Sequence, residues 1–203
     1  MNKDLRVDHV LTSGTFSLDG GTWDVDNNVW VLGDDREVIV IDAAHEAQPI
    51  IDAVDGRKVK AIVCTHAHND HITVAPELQE KLDAPLLVHP GDQMLWDQSW
   101  PDLAHEDLAH GQRLEIAGTE VVIINTPGHS PGSCCLYVPE AAELFSGDTL
   151  FSGGPGATGR SYSDFDTIIN SIRDNLLTLP AETTVRTGHG DHTTIGHLSL
   201  IHI

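Results

Sequence analysis

The 203-residue sequence predicts an α/β fold, a single domain of two packed layers covered by helices. Three observations predict it. Strand-like runs come first and mixed helix- and strand-like segments follow, and this order repeats in each half of the chain. No linker composition separates the halves, so residues 1–203 read as one domain. Hydrophobic residues make up 40% and charged residues 21%, a globular balance. Folding at this length buries roughly 70% of the unfolded surface, enough for a core without disulfide staples.

The elements follow in order. Val7 to Leu18 alternates loosely, as a strand does. Val29–Leu32 and Val38–Ile41 flank Gly33-Asp34-Asp35-Arg36, a hairpin connection. Helical spacing around Ile50, Ile51 and Val54 stops at Asp55-Gly56. Val59–Cys64 reads as a short buried strand running into Thr65-His66. Ile72–Leu82 reads as a helix and Leu86–Val88 as a strand. Gln93–Gly111, with Trp96, Trp100 and Pro101 in a polar background, reads as an irregular connection or flap. Strands resume at Arg113–Ile116 and Glu120–Asn125 and stop at Thr126-Pro127-Gly128. Ser133–Val138 and Glu143–Phe145 form a second hairpin, and Gly153–Gly159 a loop. Asp164 caps a helix from Phe165 to about Leu179, and Thr183–Thr187 is the last strand. A short helix is expected after Gly190.

Charge excludes several function classes. The 31 acidic residues against 11 Lys and Arg give a formal net charge of −20. A nucleic-acid binder needs clustered basic residues to displace phosphate counterions, and a polybasic membrane-surface protein needs them too. No apolar run approaches the ~18 residues of a membrane-spanning helix, and the N-terminus carries no signal-peptide pattern. A cytoplasmic protein is therefore expected. The three cysteines, Cys64, Cys134 and Cys135, form no Cys-x-x-Cys pair. Cys134 and Cys135 point to opposite faces of a strand, so all three are expected to be buried, inert thiols.

The 13 histidines are the feature that composition does not explain. Thr65-His66-Ala67-His68-Asn69-Asp70-His71 places three imidazoles and a carboxylate directly after a buried strand, where a loop turns them inward on a small volume. Borderline divalent ions such as Zn²⁺ prefer that mixture of ligands. Three later segments repeat the arrangement of a strand running into a small-residue turn. They are Pro127-Gly128-His129-Ser130-Pro131-Gly132, Ser146-Gly147-Asp148-Thr149 and Thr187-Gly188-His189-Gly190. No Gly-x-Ser-x-Gly nucleophile elbow is present.

This series of motifs resembles that of the metallo-β-lactamase-fold hydrolases, over at least Val29 to Gly190. It is nearest the short members similar to glyoxalase II, the hydroxyacylglutathione hydrolases. The resemblance implies a four-layer αβ/βα sandwich with two divalent metal ions at one edge. Zinc is the expected metal, with iron or manganese as the alternatives. His66, His68 and His129 would hold one ion and Asp70, His71 and His189 the other, with Asp148 bridging. A carboxylate at Asp148, where common dinuclear β-lactamases carry a cysteine, resembles the glyoxalase II and ribonuclease Z types. The implied reaction is attack of a metal-bridging hydroxide on a thioester of a low-molecular-weight thiol, with Asp70 and Asp148 as the catalytic carboxylates.

The chain ends 14 residues after His189, so the C-terminal extension with which longer glyoxalase II enzymes bind glutathione is expected to be absent. Arg160, in the loop Gly153–Tyr162, is the candidate contact to an anionic small-molecule substrate; a surface salt bridge is the plainer alternative. Asp42 and Thr65 are expected to support the ligand imidazoles from behind. Trp96 and Trp100 either wall the site or pack in the core. His192, three residues beyond His189, is a further supporting candidate, and His9, His45, His89, His105, His110, His197 and His202 have no matching motif. The rival functions are a mononuclear iron persulfide dioxygenase using His66, His129 and Asp148, a lactonase, and a non-catalytic metal-binding protein.

Overall fold

The computed structural model describes residues 5–199; His202 lies outside that range. Two six-stranded sheets face each other. The first has the order β1 (Arg6–Leu18), β2 (Gly21–Gly33), β3 (Glu37–Ile41), β4 (Lys58–Val63), β5 (Leu86–Val88) and β6 (Glu106–Asp107). The second contains β7 (Arg113–Ile116), β8 (Thr119–Asn125), β9 (Cys134–Val138), β10 (Glu143–Gly147), β13 (Thr184–Thr187) and β14 (Thr193–Thr194). Its order is β14-β13-β10-β9-β8-β7. A small ribbon of β11 (Leu150–Phe151) and β12 (Gly154–Pro155) stands apart.

Strand alternation explains the four layers. Trp30, Leu32, Ile39 and Ile41 turn inward and meet Val121, Ile123, Leu136 and Phe145 of the second sheet, forming the central core. Their neighbours Val29, Val31, Val38 and Val40 face outward and are covered by Ile50 and Val54 of α1 (Ala47–Val54) and Leu78 of α3 (Ala75–Leu82). On the far side, Cys135, Leu144 and Val185 are covered by Ile168 of α5 (Phe165–Ser171) and Leu198 of α6 (Ile195–Ser199). The fold is therefore the expected αβ/βα sandwich. Cys134 belongs to the central core and Cys135 to the outer one, and all three thiols are free and buried.

Several expectations change: β14 follows the strand expected to be last, and β12 lies within the expected Gly153–Gly159 loop. The segment Ile72–Leu82 is not one helix: a single turn, α2 (Asn69–Ile72), ends before α3, which begins afresh with proline in its first turn. The expected flap contains α4 (Gln93–Ser99). Trp96 is fully buried and donates its indole N–H to Leu103 O, while Trp100 donates to Ile72 O. These two tryptophans hold the α4 segment in the core; its helical spacing was hidden by the polar residues around them. The helix capped by Asp164 is α5 for seven residues and then widens into a turn of π-helix at Ile172–Leu176. Among the described residues no helix is long and apolar enough to cross a membrane.

The turn between β2 and β3 is fastened by Asp34, whose Oδ1 accepts from the N–H groups of Arg36 and Glu37 at 2.8 and 2.9 Å. Those bonds, Glu37 first, hold the carboxyl down at about 2. A depressed folded value means the stabilisation is present above the ordinary carboxylate range and is lost as pH falls through about 2. Asp34→Asn is therefore expected to lower stability at neutral pH, with the difference from wild type closing between pH ~4 and ~2 in acid-unfolding curves. A gap that persists below that window contradicts the assignment.

Candidate metal centre

The site is made where strands end together. β8 and β10 are each antiparallel to β9, and β13 is parallel to β10, so all three run in one direction. Their ends deliver His129, Asp148 and His189 to one edge of the sandwich, facing the end of β4, which delivers His66 and His68. Asp70 and His71 follow on the single turn α2, so the sequence expectation of a loop holds for only the first half of that motif.

Glycine is required where the loops touch. A Cβ on Gly188 would lie 2.2 Å from Asp148 Oδ1, and one on Gly128, whose φ is +136°, would lie 2.3 Å from the backbone nitrogen of Ile168.

All seven expected groups come together, and three of the five imidazoles are oriented from behind by an oxygen acceptor. His71 Nδ1 is 2.9 Å from Asp42 Oδ2, His129 Nδ1 is 2.8 Å from Ala157 O, and His189 Nδ1 is 2.7 Å from Asp26 O. Those acceptors place the ring proton on Nδ1 and leave Nε2 as a bare donor of electrons. Thr65 Oγ1 sits 3.2 Å from His66 Nδ1, and it donates to Asp42 at 3.0 Å. Asp42 also accepts the Thr65 N–H at 2.7 Å, so both expected supporting residues lie behind the cluster.

The inward atoms crowd one another. His68 Nδ1 and His129 Nε2 are 3.0 Å apart, and His71 Nε2 and His189 Nε2 are 3.2 Å apart. Asp70 Oδ2 is 3.4 Å from both His71 Nε2 and His189 Nε2. Asp148 reaches both groups, with Oδ1 3.4 Å from His71 Nε2 and Oδ2 3.6 Å from His129 Nε2. Donors bound to one tetrahedral ion at 2.0–2.1 Å stand about 3.3–3.4 Å apart, so these spacings fit ligands of divalent cations. In three triads the donor atoms all lie within 4.8 Å of one another: His66–His68–His129, His66–His71–Asp148 and Asp70–His71–His189. His66 Nε2, Asp70 Oδ1 and Asp148 Oδ1 are buried without a hydrogen-bond partner, which is the second sign that the donor set is built for cations.

The electrostatics agree. Burial lowers the basicity of His66 and His68, the latter to about 3, keeping both neutral and ready as ligands. Burial acts the same way on His71 and His189, but the carboxylates outweigh it: Asp70 then Asp148 raise His71, and Asp148 raises His189 to about 10. The field at the centre therefore draws positive charge.

Sequence reasoning missed the residues that tie the ligand loops together. Asn27 donates to Asp70 Oδ2 at 3.0 Å and accepts from the His45 ring at 2.8 Å. Asp92 is fully buried and accepts from Ala67 N, Ser130 Oγ and Gly132 N at 3.0, 2.7 and 2.6 Å. It thereby binds the His66–His68 loop to the His129 turn. Neither residue had a motif to mark it. His192 is exposed in a separate groove beside Thr193 and His197 and is not part of the centre. Arg160 is exposed at the rim of the cleft, over the Trp23 ring at 3.9 Å, and among the described residues it makes no ion pair.

A family model, the metallo-beta-lactamase superfamily, matches residues 22–189, and the chain belongs to that superfamily. Within it the chain falls among the metallo-hydrolases. It is 34% identical to a probable metallo-hydrolase, YqgX of Bacillus subtilis, over 83% of this chain and 87% of that one. It is 30% identical to the hydroxyacylglutathione hydrolase GloC of Haemophilus influenzae, over 82% of this chain and 86% of that one. Among solved structures, TTHA1623 in a di-iron-bound form superposes with a TM-score of 0.77 at 33% identity, covering 85% of this chain and 92% of that one.

Asp92→Ala leaves the Ala67 and Gly132 N–H groups without their acceptor, at about 1 kcal/mol or more each, while Ser130 Oγ keeps Ser133 Oγ at 2.8 Å. The expected outcome is a loss of about 2 kcal/mol or more in denaturant unfolding, together with a fall in bound metal measured on the same protein. Unchanged metal content would separate Asp92 from the centre.

Proposed function

We propose that the chain is a two-metal hydrolase acting on thioesters of a low-molecular-weight thiol, glyoxalase II-like in its chemistry. The observation that carries this reading is the pairing of two complete donor triads across one carboxylate, with His71, His129 and His189 oriented from behind. His66, His68 and His129 hold one ion, Asp70, His71 and His189 the other, and Asp148 lies between; zinc is the expected metal, and the di-iron relative keeps iron open. Bound there, the two ions supply an activated water and polarise the substrate carbonyl.

The chain's own residues do the rest. Burial pushes the Asp70 carboxyl up, but His71, His189 and Asn27 bring it down to about 2, so it stays ionised. Its free Oδ1 therefore orients the attacking water rather than storing a proton. The leaving thiol has a pKa near 8.5 and departs as thiolate, so no general acid is needed beside it.

Phe16, Leu18, Val25 and Ala157 line a cavity of about 140 Å³ over the centre, close to the ~150 Å³ that holds one benzene ring. A compact acyl group fits inside and the thiol carrier lies outside, where Arg160 stands stacked on Trp23 and, among the described residues, makes no ion pair. That arrangement supports an anionic carrier. The acidic surface and the absence of basic clusters support a small molecule over nucleic acid, and the three buried free thiols support a reducing, cytoplasmic setting.

A panel of thioesters and lactones assayed with metal-replete protein tests this reading. Asp148→Ala is expected to reduce thioester turnover by more than the roughly 10–100-fold that losing an outer partner costs, the loss expected for Asp42→Ala. Unchanged turnover in Asp148→Ala contradicts the assignment. Lactone turnover without thioester turnover points to a lactonase. Arg160→Ala is expected to raise KM for a carboxylate-bearing thioester by about tenfold while leaving kcat nearly constant. An equal KM change for a neutral thioester would remove Arg160 from carrier recognition.

A further inference from the structure

β1 is the outermost strand of the first sheet, so among the described residues one edge of its 13 residues has no neighbouring strand. At one point that edge is occupied by a side chain. The Ser17 N–H donates to Asn69 Oδ1 at 2.9 Å, and Asn69 Nδ2 donates to Thr15 O at 3.3 Å. The two backbone groups flank Phe16. In a parallel ladder, a residue donates to the carbonyl before its partner and accepts from the N–H after it. The Asn69 amide thus stands in for the N–H and C=O of one residue of a parallel strand beside Phe16.

We infer that Asn69 is a positioning residue, whose amide pins the backbone of β1 on both sides of Phe16 and so fixes the acyl-side wall of the metal cleft. Asn69 is half-buried between His68 and Asp70, so the wall is fastened to the loop that carries four of the seven proposed ligands. The Phe16 ring stands edge-on to His68 at 5.2 Å, against Trp23 at 5.7 Å, and under the Arg160 guanidinium at 5.1 Å. It lines the cavity along with Leu18 and Val25. Asp19 ties the hairpin tip to Ser161 at 3.0 and 2.6 Å, so Asn69 and Asp19 together set how far the arm stands from the centre. The side chain of Asn69 does none of the orienting behind the imidazoles, which falls to Asp42, Thr65, Ala157 and Asp26. Its loss therefore shifts the wall and spares the donors. In substrate terms, Asn69 keeps the acyl site small and sets its selectivity for compact acyl groups; this consequence rests on the thioester reading above.

The experiment combines hydrogen exchange with kinetics on Asn69→Ala and Asn69→Asp, each measured for metal content. Water can satisfy the freed edge, so both variants are expected to fold with unchanged metal. In Asn69→Ala the Ser17 amide is expected to exchange about tenfold faster. KM for a hydroxyacyl-glutathione thioester is expected to rise, with kcat within about twofold and a smaller preference over a thioester with a bulky aromatic acyl group. Asn69→Asp keeps the acceptor for Ser17 and loses the donor to Thr15, and it is expected to fall between. Unchanged Ser17 exchange in Asn69→Ala overturns the inference. So does a joint fall of kcat and metal content at constant KM, which would make Asn69 a support of the ligand loop alone. Wild-type protein without thioester turnover contradicts the proposed function, and the exchange measurement still decides the placement of β1.

Discussion

Everything at the edge of this sandwich depends on buried imidazoles being told which nitrogen carries the proton. An imidazole packed among carboxylates and other imidazoles has no preferred tautomer of its own, and a ring turned the wrong way presents N–H where an electron pair is needed. The protein settles this for three of its five clustered histidines with an oxygen acceptor behind the ring: Asp42 for His71, the Ala157 carbonyl for His129 and the Asp26 carbonyl for His189. Asp42 does more, because it also fastens Thr65, the residue that stands against His66. One carboxylate on the end of β3 thus governs two rings from different positions along the chain.

The layered fold explains how acceptors so distant in sequence come to stand behind these rings. Two sheets packed face to face bring the ends of β4, β8, β10 and β13 to one rim, and the loops leaving them are locked by side chains from neighbouring elements. Asp92 joins the His66–His68 loop to the His129 turn, while Asn28 donates to Thr187 O and Gly190 O on either side of His189. The same rim carries the arm formed by the ends of β1 and β2, which turns a flat metal edge into a cleft. Its aromatic residues and Arg160 give that cleft one apolar wall and one cationic corner.

Much of this was legible in the sequence because ligands for a metal are few in kind and strict in spacing. His66, His68, Asp70, His71, His129, Asp148 and His189 all lie in motifs where a strand meets a small-residue turn, and all seven converge. Asp42 and Thr65 were legible for a related reason, since both end strands that lead to the site. Asp92, Asn27 and His45 were not, because a hydrogen bond across three loops leaves no local pattern; Asp92 sits at the start of a segment whose helix was itself obscured. The α4 helix went unread because the two tryptophans that anchor it, Trp96 and Trp100, bury themselves through packing and indole hydrogen bonds rather than through a long apolar stripe. Asn69 had no role assigned within the motif, because a side-chain amide bonded to the backbone of a distant strand leaves no local pattern.

The central claim is that two triads and one shared carboxylate hold two metal ions for hydrolysis. The most direct measurement is metal stoichiometry on purified, metal-replete protein, with oxygen uptake followed on the same sample in the presence of a persulfide. Two ions per chain and no oxygen uptake are the results this account predicts. One iron per chain with oxygen consumption would contradict it and assign His66, His129 and Asp148 to a mononuclear centre instead.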